Sequence, residues 1–327
     1  MHPSASDARP RLDVVMYHFV RPIAGSRWPG IRGLEVHEFE AQLDYLTATH
    51  DVLSPADAIG VMRGETRLAR DACLLTFDDG YRDHADHVAP RLAARGLKAA
   101  FFPPACAALD RAMLDVNKIH FILASGADPA ALGHAIDEAV GAEPGLPAPA
   151  HFREMHHRAF GYDTADVIYV KRMLQHALPG EMRARLAAAL FAHHVTADET
   201  GFAEELYCGA SDLAGLADAG HTIGSHGDRH IWLNEEDEAA QRADIEASLR
   251  LFDAIARPRE GFMFCYPFGG HTEVTLRILA DLGCAAAVTT RPGCARPGED
   301  DPLAIPRLDT NVFPPRGQAP PFQMRAP

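Results

Sequence analysis

The chain reads as an α/β protein on a parallel sheet, and three observations carry that reading. Short, nearly continuous apolar runs alternate with amphipathic stretches of helical period, the pattern of buried strands covered by helices. Seven such runs occur, which favours a barrel over an open sheet, although periodicity alone does not separate the two. Polar residues suited to hydrolysis stand at the ends of these runs, where parallel α/β folds gather their chemistry.

The first run, LDVVMYH (12–18), ends at Tyr17-His18 and is followed by a helical stretch, VHEFEAQLDYLTATH (36–50). The second, CLLTFDD (73–79), stops on two adjacent carboxylates, Asp78 and Asp79, before Gly80. After KAAFFPP (98–104) the rhythm breaks. Residues 107–207 carry helical patterns divided by GAEPGLPAPA (141–150), too long for a loop and read as a mostly helical insertion that roofs the groove or offers a surface for a homo-oligomer. HTIGSHG (221–227) resumes the alternation, with a helix over 234–255 for which Asn234 is the expected N-cap and Asp237 lies near N3. GFMFCYP (261–267), AAAVTT (285–290) and AIPRLDT (304–310) complete the set, and the last carries Arg307 and Asp309. The barrel is thus expected over 12–311, with a Pro-rich tail at 312–327.

A formal charge of −14 argues against nucleic acid and against an anionic membrane surface as partners, and no apolar run approaches the roughly 20 residues of a transmembrane helix, so no membrane insertion is expected. The N-terminal stretch MHPSASDARPRLDVVMYH shows no apolar segment of a secretory signal, and the six cysteines are scattered without a CxxC pair. Both features predict a cytoplasmic protein with reduced thiols.

Two like charges at a strand end repel unless a cation or a proton separates their roles. GSHGDRH supplies His226 and His230 at i and i+4, which brings two imidazoles to one side. With one carboxylate from another strand end they would form a two-histidine, one-aspartate metal site, leaving the second carboxylate free as a base.

TFDDG, a distant SHxxxH and then YPFG resemble the polysaccharide deacetylases of the NodB-homology type, carbohydrate esterase family 4, over 12–106 and 208–311. The resemblance implies a distorted (β/α)7 barrel, a divalent metal (usually Zn2+) and removal of N-acetyl groups from amino sugars. It implies Asp79, His226 and His230 as metal ligands, Asp78 as the general base, and the backbone N–H of Phe268 as an oxyanion donor.

Three departures stand out. Cys265 occupies the place of the family's base-orienting arginine, and Arg307 is the nearby substitute. Gly227 replaces the usual Ser or Thr after the first ligand histidine. The C-terminal Leu-x-His that supplies the general acid is absent, since 308–311 read Leu-Asp-Thr-Asn. In one subgroup a first-strand Tyr-His supplies the acid, which points to His18. His84 and His87 read as solvent-facing, and His120, His221 and His271 as structural or peripheral.

The expected function is therefore metal-dependent hydrolysis of the amide of an N-acetylated or N-formylated amino sugar, carried by an intracellular glycan, lipid-linked or nucleotide-sugar intermediate. The competing readings are a non-catalytic carbohydrate-binding or scaffold protein on a decayed barrel, and an amidohydrolase for a non-sugar amide.

Overall fold

The computed structural model describes residues 10–161 and 163–317; most of the expected Pro-rich tail lies outside the described residues. The described residues divide into two compact units, one of residues 10–21, 34–111 and 204–317, the other of residues 22–33, 112–161 and 163–203.

The first unit holds the sheet. Its strands are β1 Leu12–Tyr17, β2 Asp51–Val52, β3 Ala72–Asp78, β4 Ala100–Phe102, β5 Thr222–Ile223, β6 Met263–Cys265, β7 Ala286–Pro292 and β8 Ile305–Asp309. They pair in the order β5-β4-β3-β1-β8-β7-β6, with β2 beside β3, and every strand pairing is parallel. Just beyond β5, the Ser225 N–H donates to the Met263 carbonyl at 2.9 Å and the Cys265 N–H donates to the Ser225 carbonyl at 2.8 Å. That bridge links the two edges, so the seven strands nearly close as the expected barrel.

The apolar runs are continuous because both faces of each strand are buried. Leu12, Val14, Leu74, Phe102, Met263, Val288 and Ile305 fill the interior, whereas Val15, Tyr17, Leu75, Phe77 and Phe101 face the covering helices. The helix Val36–Thr49 packs Phe39, Leu43 and Leu46 into this outer layer. Burial of each such side chain contributes about 1.5–3 kcal/mol. The two-residue period of the strands has a functional consequence. Residues 72, 74, 76 and 78 of β3, 263 and 265 of β6, and 305 and 307 of β8 share the inner face, so Asp78, Cys265 and Arg307 meet at the barrel's carboxyl end.

One boundary differs from its expectation. The helix expected over 234–255 begins at Glu238, because residues 233–235 form a 3-10 turn and the Asp237 carboxylate accepts the Ala240 N–H at 2.8 Å as the true N-cap. It also breaks at Leu249 into Glu238–Ser248 and Arg250–Ala254.

The second unit is helical, with Asp115–Ala124, Pro129–Ala142, Pro149–His156, Ala165–Arg172 and Gly180–His194. Its core includes Phe121, Ile136, Tyr169, Met173 and Phe191. The segment 22–33 joins it through Trp28, whose ring meets Phe121 at 5.6 Å and Phe202 at 6.0 Å.

Candidate active site

At the barrel mouth, Asp78 ends β3 on the inner face and Arg307 rises from β8. The Arg307 guanidinium donates from its two terminal nitrogens to Oδ1 and Oδ2 of Asp78 at 2.8 and 2.7 Å. It also donates to the Thr289 carbonyl at 2.8 Å, the Thr76 hydroxyl at 3.1 Å and the Cys265 sulfur at 3.2 Å. The two side chains are 0% and 2% exposed. Burial alone would raise the Asp78 pKa, but the adjacent Arg307 charge and its hydrogen bonds outweigh it and hold the carboxyl well below the usual range. Asp78 is thus an oriented, ionised acceptor.

Asp79 turns away from its neighbour because its backbone is left-handed, with φ 68°. Gly80 follows at φ 66°, and a Cβ there would lie 2.6 Å from the Pro103 Cβ, so only glycine fits. The Tyr81 hydroxyl donates to Asp79 Oδ2 at 2.5 Å and is itself buried, its ring stacked on Phe19 at 3.9 Å. Oδ1 of Asp79 then faces the histidines, 3.6 Å from His226 Nε2 and 3.4 Å from His230 Nε2.

His226 pairs its Nδ1 with the Cys265 carbonyl at 2.7 Å, which requires the proton on Nδ1 and leaves the Nε2 lone pair toward Asp79. His230 adopts φ 55°, and the two rings lie 4.7 Å apart. Burial lowers both imidazoles, His230 to about 3 with the neighbouring His226 adding to the effect, so both are neutral at neutral pH. The candidate ligand atoms of Asp79, His226 and His230 all lie within 4.8 Å of one another. Two neutral imidazoles and a carboxylate match the donor set of a zinc-type site with positions left open. The alternative cluster of Asp78, His226 and Cys265 has the same spread, but the Arg307 cation already occupies Asp78 and Cys265, and burial keeps the thiol protonated.

The loop between the histidines is braced from the helix Glu238–Ser248. Asp244, buried, accepts the N–H groups of Asp228 at 3.0 Å and Arg229 at 3.1 Å. Gly227 makes the approach possible: at φ 72°, a Cβ there would sit 2.7 Å from Asp244 Oδ2. The missing hydroxyl after His226 is thus replaced by a carboxylate from another element. Its signal in the sequence was an acidic residue on the buried Gln241, Asp244, Ile245, Ser248 face of a helix.

His18 lies at the rim, 44% exposed, with Nε2 3.8 Å from Asp78 Oδ2. The reading of His84 as solvent-facing is corrected. His84 is fully buried and its Nε2 pairs with the His18 carbonyl at 3.0 Å, because the helix after Gly80 turns that face onto Phe77 and Phe101. Phe268 has φ 57°, its ring stacked on Trp232 at 4.4 Å and edge-on to His230 at 4.5 Å. Among the described residues, three of the five non-glycine residues with left-handed backbone are Asp79, His230 and Phe268, a concentration of strain at one mouth that marks functional sites. His221 accepts the Ala99 N–H and His271 stacks on Tyr266, away from this cluster.

The fold is thus a nearly closed parallel α/β barrel that carries, at one mouth, an arginine-held carboxylate beside a carboxylate–imidazole cluster. The family model described as polysaccharide deacetylase matches residues 164–287, which include His226, His230 and Phe268. The chain is 21% identical over 286 residues to the putative polysaccharide deacetylase YxkH of Bacillus subtilis (strain 168), covering 87% of this chain and 66% of that protein. It therefore spans about two thirds of the length of that curated relative. Among solved structures, the Streptococcus pyogenes deacetylase PplD in complex with acetate is similar at TM-score 0.56 and 14% identity, with 95% of this chain and 96% of that one covered. IcaB from Ammonifex degensii is similar at TM-score 0.54 and 19% identity, with coverages of 93% and 94%. The chain resembles the polysaccharide deacetylase family in sequence motifs and in fold.

Proposed function

We propose that the protein is a metal-dependent N-deacetylase that hydrolyses the amide of an N-acetylated or N-formylated amino sugar. The observation that carries this reading is the division of labour between adjacent carboxylates. Asp78 is locked by Arg307, while Asp79 faces two neutral imidazoles. Asp79, His226 and His230 would hold the ion, which we take to be zinc. When bound, such an ion supplies a Lewis acid that activates water and polarises the acyl carbonyl.

The chain's own residues complete the site. Asp78, kept ionised and oriented by Arg307, accepts the proton of the attacking water. The Phe268 N–H donates to the developing oxyanion. His18, open to solvent at the rim, protonates the leaving amine. Six free cysteines fit a reducing compartment and an intracellular glycan, lipid-linked or nucleotide-sugar substrate.

The test is a screen of N-acetylated sugars, oligosaccharides and nucleotide-sugars for released acetate. The reading expects release by the wild type and loss of roughly 10²–10⁴ in rate for Asp78→Asn with the metal retained. Absence of release from every acylated sugar, with full metal content, would favour a non-sugar amide. An empty site would favour a decayed scaffold.

A further inference from the structure

The second unit carries a surface that the proposed hydrolysis does not use. Among the described residues, the exposed large apolar side chains are Met155 and Phe160, 49% and 74% exposed. Both line one open cavity of about 250 Å³, together with His156, Arg158, Ile168 and Arg172. Phe160 stands at a tight turn closed by reciprocal backbone bonds with Asp163, at 3.2 and 3.1 Å.

The charge around these apolar groups is unbalanced. Among the described residues, no acidic side chain lines the cavity, and neither the Arg158 nor the Arg172 guanidinium has a hydrogen-bond or ion-pair partner. Two other arginines of the unit end on carboxylates, Arg153 on Asp137 and Arg185 on Glu143. Of the neighbouring acids, Asp163 is paired with Arg32 and Lys171 and Asp166 with His157, while Glu154 is exposed beside Met155. Burial, and after it the charges of Arg172, His176 and Arg158, depress the His156 pKa. On a chain of net charge −14, such a patch is a local exception.

We propose that this patch docks on a membrane surface bearing anionic phospholipids, with Arg158 and Arg172 on lipid phosphates and Phe160 and Met155 dipping into the interface. The pairing of unpartnered guanidinium groups with exposed apolar side chains matches a headgroup layer above acyl chains. The inference does not depend on the deacetylase reading.

The experiment is sedimentation of the full chain with phosphatidylcholine vesicles, with and without a third of the lipid replaced by phosphatidylglycerol, at rising salt. Binding should require the anionic lipid and fall with salt. Arg158→Ala and Arg172→Ala should each weaken partitioning about fivefold, the worth of one basic side chain near an anionic surface. Phe160→Ser should weaken it while leaving the salt dependence unchanged. Circular dichroism confirms that each variant is folded, as expected for exposed positions. No binding to anionic vesicles, unchanged binding by all three variants, or complete competition by dilute inorganic phosphate would each overturn the proposal. The last outcome would assign the patch to a free anion.

Discussion

Arg307 of β8 grips Asp78 of β3 across the intervening strand β1, through a two-pronged contact of 2.8 and 2.7 Å between residues 229 positions apart in sequence. An arginine is required because its planar fork matches both carboxylate oxygens, and its remaining N–H groups find Thr289, Thr76 and Cys265. Arg307→Ala should leave a buried carboxylate unpaired and cost about 3–5 kcal/mol of stability. Arg307→Lys should restore much of that stability but little of the turnover, because the point charge cannot hold both oxygens. Urea denaturation and initial rates on the same samples separate the two effects.

Tyr81 fixes which oxygen of Asp79 remains available. Tyr81→Phe should weaken metal affinity by roughly 10–100-fold, the usual range for a residue that orients a ligand, without changing stoichiometry. Competition with a chromogenic chelator measures it. An unchanged affinity would mean the hydroxyl only fills space.

Asp244 and Gly227 should fail in different ways. Asp244→Ala removes an acceptor shared by two backbone N–H groups inside the histidine loop, and each orphaned donor costs about 1–3 kcal/mol. Gly227→Ala forces a Cβ onto the carboxylate at a left-handed position. Both should lower metal affinity and melting temperature; pairing Gly227→Ala with Asp244→Ala should cost less than the sum of the single changes, since the clash disappears.

His18 stands half-exposed at the rim beside Asp78. His18→Ala should keep its metal, lose most amide hydrolysis, and lose much less on an activated ester whose leaving group needs no proton. Equal losses on both substrates would assign His18 a structural role.

Burial depresses His84 to about 4, outweighing its bond to the His18 carbonyl. The folded state thus prefers the neutral ring, and the unfolded state binds the proton first, near pH 6.5. Stability should fall as pH drops from 6.5 toward 4, by roughly 3 kcal/mol from this group alone when complete. Urea midpoints at pH 7 and pH 5 should converge in His84→Asn relative to wild type.

Seven of the strands and the residues that cluster as Asp79, His226 and His230 were legible because their signals are local: seven apolar runs, one Asp-Asp-Gly and one i,i+4 histidine pair. Arg307 was visible only as a nearby arginine, since its geometry depends on β1 separating β3 from β8 in the sheet. Asp244 escaped notice because helix periodicity shows that a face is buried, not which loop it meets. His84 was misread for the same reason. The start of the 238–248 helix was missed because Asn234 and Asp237 are both good caps, and the 3-10 turn at 233–235 decides between them. Nothing periodic in residues 22–33 announces that Trp28 joins the helical unit.

If Asp79, His226 and His230 hold one divalent metal, amide hydrolysis should depend on that ion. The most direct measurement is back-titration of chelator-treated protein with zinc while released acetate is followed on an N-acetylated amino sugar. Without metal no acetate should form, and activity should rise linearly to a plateau near one zinc per chain. Full activity in the metal-free protein, or the same titration curve for His226→Ala with His230→Ala, would contradict this reading.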